Sequence, residues 1–481
     1  MSRNKNNNRS GISSKQSKSS KAGASAKTNK SGRYGSHPAS LNYSRISNEI
    51  KLTDYLAATP GILMVAMIVF VLILDLFTTT MAETQYYDFH NIFRVFDYTA
   101  IALGVILLIV KIVKHELHIE LRDLFFAGFM VCIVISTCIN GLSHEAAFGL
   151  PVRFVGVFNM LAFFIIYMQA SGYIERVQFR YTILLAYIFS ADAIALSVLY
   201  DRYVSIIEAY QNKEGISAVF VNSNHYGYFL AMAIMISIGL YIYEDDRRLI
   251  GIGIVSGLLN LGILALNMTM GAVLAVGICT LGMFVIILLK ERDRLRRILI
   301  LIAAFAAAVI GVLALSSSIR ADVFRLLSDM AKIITGRSDG TEGSGRWVLW
   351  LTTIDYIKEK PLFGHGCEGI TLRLQEACGI GDAHCEPMTF AAYYGIPGMI
   401  LYLCGIISTA VSYFRHRAGL PSYCRVAFLA ASAYFLSSLV GVPMFNTAPF
   451  FYVFIGMSSL LYTEPGLKIG KEIDKAKQPM R

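Results

Sequence analysis

Apolar runs of roughly 17–25 residues recur along this chain, the length an α-helix needs to cross the hydrocarbon core of a bilayer. About twelve can be read, near 60–80, 96–113, 123–139, 150–168, 181–199, 219–243, 250–266, 270–289, 297–316, 388–413, 425–441 and 446–463. The alternation of barrel strands is absent, so the backbone groups inside lipid are expected to be satisfied within helices. Hydrophobic residues make up 55% and charged residues 16% of the 481 residues, where a soluble chain carries about 25% charge. The expected fold class is therefore all-α, a polytopic membrane protein with one large extracytoplasmic loop containing short helices. The first span reads as an uncleaved anchor.

Charge sets the orientation. Residues 1–50 hold ten Lys or Arg against one acidic residue, Glu49, in a background of Ser, Asn and Gly. That composition reads as a disordered basic tail at 1–52, drawn to anionic lipid in preference to nucleic acid. The loops at 111–122, 174–180, 244–248, 290–297 and 415–425 are rich in Lys and Arg, as is the 464–481 tail. Those at 81–91 and 140–149, near Asn267 and at 441–446 hold few or none. Under the positive-inside rule both termini are cytoplasmic in a multi-pass protein of the cytoplasmic membrane. Nine spans then fall within 53–316, the large outer loop at 317–387, and three spans within 388–463.

The loop has its own periodicity. Val323, Leu326, Leu327, Met330 and Ile334 share a face of a helix over 321–334, expected to lie along the membrane surface. Trp347, Trp350, Leu351, Ile354 and Ile357 do the same over 346–360, and these two tryptophans are the only ones in the chain. Residues 336–345 are a Gly-rich turn, and Pro361 and Gly364 end the second helix. Eight cysteines are scattered. Cys367, Cys378 and Cys385 share the loop, so one disulfide with one thiol left over is one reading. The spacing of His365, Cys367, Cys378, His384 and Cys385 does not match a paired zinc-ligand pattern, and neither a metal nor another cofactor is expected.

The order Ser344-Gly345-Arg346, Trp347, Leu349-Trp350, then Ile357-Lys358-Glu359-Lys360-Pro361-Leu362-Phe363-Gly364-His365-Gly366 resembles the periplasmic-loop signature of the O-antigen ligase and polymerase superfamily. That family places a histidine next, in Ala-His-Asn, just before a helix with Gly-Ile-Pro-Gly. Here stand Ala383-His384-Cys385 and Gly395-Ile396-Pro397-Gly398. Phe220-Val221-Asn222-Ser223-Asn224-His225 resembles its Asn-Pro-Asn at the start of a span. The span count and loop placement agree over roughly 60–463. The chain departs from the family at Thr269-Met270-Gly271, where Ser-Arg-Gly is common. It departs again at Gly215-Ile216-Ser217-Ala218, where an arginine is common, and at Cys385.

The resemblance implies transfer of a glycan from a polyprenyl-diphosphate carrier to a glycan or lipid acceptor hydroxyl at the outer face of the membrane. Such chemistry needs a base for the acceptor proton and cations for the departing diphosphate. His384 is the candidate base, since imidazole titrates near neutrality; its alternative is a capping or packing histidine. Arg346 is the candidate cation, because guanidinium binds phosphate oxygens bidentately; its alternative is pairing with Asp339, Glu342 or headgroups. Arg153, Arg337 and Arg373 are further diphosphate candidates, with snorkelling as the alternative for Arg153. Asn222 and Asn224 are candidates for the acceptor or lipid groove, or for helix capping. Glu368 and Glu386 are candidates to orient His384 or to bind an acceptor, or else solvated carboxylates. The competing class is a transporter or a non-catalytic glycan-binding membrane protein. Transporters place ionisable groups at mid-span, whereas most charges here lie in loops or at span ends.

Overall fold

The computed structural model describes residues 98–458 except 100, 115–118, 151–154, 173–176, 202–215, 217, 221, 268, 316–319, 322–323, 325–327, 329–330, 333–334, 338–345 and 444–445. The chain divides into two units, Met1–Glu49 and Ile50–Arg481, and every described residue belongs to the second. The expected span at 60–80, both tails, Arg153, Ser217, Asp339, Glu342, and Val323, Leu326, Leu327, Met330 and Ile334 lie outside the described residues.

Among the described residues all regular structure is helical. The helices are α1 (Ile101–Val113), α2 (Leu121–Asn140), α3 (His144–Phe148), α4 (Val157–Gly172), α5 (Val177–Asp201), α6 (Ser223–Tyr243), α7 (Arg247–Asn267), α8 (Met270–Lys290) and α9 (Leu295–Leu315). They continue with α10 (Arg346–Glu359), α11 (Thr371–Cys378), α12 (Glu386–His416), α13 (Ser422–Ser438) and α14 (Ala448–Met457). Six helical stretches are long and apolar enough to span a bilayer: α2, α6, α7, α8, Phe179–Tyr200 within α5, and Glu386–Gly419, which contains α12. Shorter apolar helices stand at 101–113 and 448–457, inside further expected spans, and at 157–171, overlapping the one expected at 150–168.

Helix α6 is the interior of this assembly. In its apolar window 94% of residues are buried, against 28% for α7 and 33% for α8, so α6 is enclosed while the outer faces of α7 and α8 are left for lipid. It packs on α7, α13 and α8. Close approach is made possible by small residues. A methyl on Gly239 would press on Val426, and one on Gly227 would stand 2.7 Å from Thr269. The other main pairs are α2 with α12 and α4 with α14.

The loops separate by charge. Glu291 pairs with Arg417 and Arg425, each at 2.8 Å. Arg294 and Arg297 donate to the last carbonyls of α6, Ile242 and Glu244, where a helix C-terminus favours cations. Tyr181 donates to Glu244 at 2.6 Å. The basic turns at 244–248, 290–297 and 415–425 are thereby tied together. The opposite ends gather the turns poor in basic residues. Asn267 and Thr269 donate to the Ser223 carbonyl, each at 3.0 Å, and Tyr228 presses on Gly441. One carboxyl stands apart from this pattern: Asp192, within α5, accepts from Ser256 and Asn260 of α7, joining two helices by an interhelical polar contact.

Candidate functional site

The kink of α12 follows from the Gly395-Ile396-Pro397-Gly398 sequence. Pro397 has no N–H to give the carbonyl four residues back, which belongs to Tyr393, and its ring crowds that carbonyl. Gly395 takes φ 82°, outside helical space and open to glycine. The amide of Ile396 turns away to the Pro361 carbonyl at 2.8 Å. Two carbonyls of the first arm are then free for the loop: Ala392 accepts from His365 N–H and Tyr393 from Gly366 N–H, each at 2.9 Å. Ser136 of α2 donates to the same Tyr393 carbonyl at 2.7 Å.

The Pro-Leu-Phe-Gly-His-Gly motif and the Gly-Ile-Pro-Gly kink are thus two halves of one joint. A Cβ on Gly395 would stand 2.1 Å from the Leu362 carbonyl oxygen, and one on Gly364 (φ 66°) 2.4 Å from that of Tyr393. Asn140, at the end of α2, donates to the Gly364 carbonyl at 3.1 Å and accepts from Lys360 at 2.7 Å.

His384 sits in the turn that starts α12. Its amide donates to Asp382 Oδ1 at 2.8 Å, an Asx-type turn, and Thr389 Oγ1 donates to the same oxygen at 3.3 Å. His384 adopts φ 48°, one of three non-glycine residues with positive φ among those described. Such a backbone costs on the order of 1–3 kcal/mol and persists only where surrounding contacts enforce it. Cys385 is the N-cap, and burial pushes its thiol above the usual range.

Arg346 opens α10. Arg346, Asp382 and Glu386 all act electrostatically on the Tyr228 hydroxyl, which α6 presents one turn inside Asn222-Ser223-Asn224. Helix α10, which Arg346 opens, packs on α12, which starts two residues past His384. Asn222 is the N-cap of α6 and accepts from the Asn224 amide at 2.8 Å, so its side-chain oxygen serves the capping role.

Other candidates lie elsewhere. Arg373 donates bidentately to Glu359, both bonds at 2.8 Å, and stacks over Tyr356 at 4.1 Å, clasping α11 to α10. Those hydrogen bonds hold the Glu359 carboxyl below its usual range. Arg337 is exposed in a turn after the 321–334 stretch. Glu368 (φ 60°) accepts from Thr371 at 2.6 Å and from Tyr393 at 3.1 Å. Glu386 is no solvated carboxylate: it is 1% exposed and accepts from Tyr402 and Tyr434. Cys367, Cys378 and Cys385 are free thiols.

The apolar stripe expected on α10 as an interfacial anchor is not the face that packs on the protein. Leu349 and Thr353 are the buried positions, while Leu351 and Ile354 are 47% and 38% exposed. The helix turns its 349–353 face to the protein because α12 and α11 lie beneath it. Asp382, Tyr228 and the two tyrosines on Glu386 were passed over in the sequence. The one local signal among them is an aspartate two residues before His384, the spacing of an Asx turn.

These features define a class: an all-helical, multi-pass membrane protein. Residues 255–403 match the family model described as O-antigen ligase, a stretch running from α7 through Arg346, His384 and the α12 kink. Over that stretch the chain is similar to the O-antigen ligase family, which suggests glycan transfer of the ligase and polymerase type in the membrane. No curated protein matches the chain.

Proposed function

We propose that this protein transfers a glycan from a polyprenyl-diphosphate carrier to an acceptor hydroxyl at the outer face of the cytoplasmic membrane, with both termini in the cytoplasm. His384 takes the acceptor proton. The acceptor oxygen forms its bond to the anomeric carbon as the bond from that carbon to the diphosphate breaks. The diphosphate leaves with the electron pair, held by Arg346, and the imidazolium returns its proton to water. No metal is assigned a part. Asn224, beside the Asn222 cap, lines the entrance on the α6 side.

The observation that carries this reading is the turn ahead of α12, where Asp382 holds the His384 amide at 2.8 Å, with α10, opened by Arg346, packed on α12. A positive-φ histidine held by an aspartate at that point is a backbone conformation the surroundings must impose. Of the described candidate arginines, Arg373 is engaged by Glu359, whereas Arg346 opens the helix that packs on α12. The transporter reading draws on Asp192, but Ser256 and Asn260 each donate to one of its oxygens.

The test is the surface glycan of cells carrying His384→Ala or Arg346→Lys at matched protein level. Loss of a general base costs about 10²–10⁴-fold, enough to abolish detectable product. Wild-type glycan in His384→Ala cells would remove the reading. In a deletion strain, single repeats with lost chain length mark a polymerase, whereas full-length chains left on the carrier mark a ligase.

A further inference from the structure

We infer that Glu386 is a positioning residue for this transfer: its buried carboxyl bridges the α12 kink and thereby sets where the His384 turn stands. The inference rests on the reading of His384 as the base.

The kink at Gly395 leaves α12 as a short arm, 386–394, joined to a long one, 396–416. His384 stands just before the free end of the short arm. An unsupported kink is a hinge. The joint with the Pro361–Gly366 loop fixes the short arm at its kinked end. Glu386 fixes it at the other. Its Oε1 accepts from Tyr402 Oη at 2.7 Å, and Tyr402 lies on the long arm, sixteen residues on and beyond the kink. Its Oε2 accepts from Tyr434 Oη of α13 at 3.2 Å. Tyr402 is locked by rings of both helices: Phe129 of α2 at 5.3 Å and Phe390 of the short arm at 4.9 Å.

A carboxyl 1% exposed, held by hydroxyls, is an expensive way to join helices, since an apolar side chain of similar volume often packs as well or better. What it supplies is direction. Hydrogen bonds on its two oxygens fix both the angle between the arms and the distance to α13, two residues from His384. The polar row runs on, with Tyr434 ring-to-ring with Tyr228 at 6.5 Å and Tyr228 in range of Arg346. The same carboxyl thus sets His384 relative to its candidate partner cation.

The experiment uses full-length protein in nanodiscs and in cells, with Glu386→Gln, Glu386→Ala and Tyr402→Phe. The chemical probe is diethyl pyrocarbonate, with modification of His384 followed by peptide mass spectrometry across pH. Glutamine keeps an acceptor oxygen, so Glu386→Gln should keep both the glycan and the pH midpoint of His384 modification. Alanine frees the arm; displacing a catalytic group by about 1 Å costs on the order of 10²-fold in transfer, and the His384 modification rate should change with it. Tyr402→Phe, which keeps the ring, should move both readouts in the same direction by less, and it decides the matter if Glu386→Ala does not fold. Unchanged transfer and unchanged His384 reactivity in a folded Glu386→Ala or Tyr402→Phe protein would overturn the inference. A shifted pH midpoint in Glu386→Gln would overturn it too, since Glu386 would then be a titrating participant. If His384→Ala retains glycan while Glu386→Ala still alters His384 reactivity, the base assignment fails and the positioning stands.

Discussion

Gly395→Ala is the most exacting test of the joint between loop and kink. The new Cβ would stand 2.1 Å from the Leu362 carbonyl oxygen and 2.9 Å from the Phe363 nitrogen, both backbone atoms that cannot rotate aside. The residue must also keep φ 82°. Holding a non-glycine residue there costs on the order of 1–3 kcal/mol. Relief of the clash means parting the loop from the short arm, which loosens the bonds of His365, Gly366 and Ile396 to Ala392, Tyr393 and Pro361. At about 1 kcal/mol for each of those three bonds, added to the strain, the total is roughly 4–6 kcal/mol, enough to open the joint without unfolding the bundle. The chain's two tryptophans, Trp347 and Trp350, both lie on α10, which packs on α12, so selectively excited tryptophan fluorescence reports this region. The variant should show a separate low-temperature fluorescence transition and lose glycan transfer. Gly251→Ala is the control. It lies in α7 with nothing within 4 Å of the new methyl, and should be neutral or stabilising by up to about 1 kcal/mol. A Gly395→Ala protein with wild-type fluorescence melting and wild-type glycan would refute the reasoning.

Two further predictions concern residues whose environments differ from their appearance in sequence. Arg373→Ala should cost under about 1 kcal/mol and leave transfer intact, because its ion pair with Glu359 is exposed. The pair's contribution is present above the ordinary glutamate value of about 4.3 and is lost as pH falls through the lowered folded value. Loss of transfer in Arg373→Ala would return this residue to the diphosphate site. The Cys385 thiol, pushed up by burial, should resist iodoacetamide at pH 8 in the folded protein and react in detergent-denatured protein. Alkylation at equal rates in both states would contradict its half-buried N-cap position.

The membrane class was legible in the sequence because lipid imposes a one-dimensional rule: twenty apolar residues in a row with little charge. Loop charge was similarly legible, and turns of like charge are tied together at each end of the bundle. The order of loop motifs around Arg346, His384 and Gly395 could also be read, since each is written in consecutive residues. Their mutual geometry could not. Nothing local says that Pro397 frees the Tyr393 carbonyl for Gly366, because that partner lies 27 residues earlier in the chain. Nor does a lone glutamate two residues past a histidine reveal that tyrosines from beyond a kink and from α13 enclose it. Arg346 and Arg373 look alike as loop arginines; only packing gave Arg373 to Glu359. Hydropathy and motif order act along the chain, whereas hydrogen-bond partners and electrostatic neighbours are fixed by distances that exist only once the helices have packed.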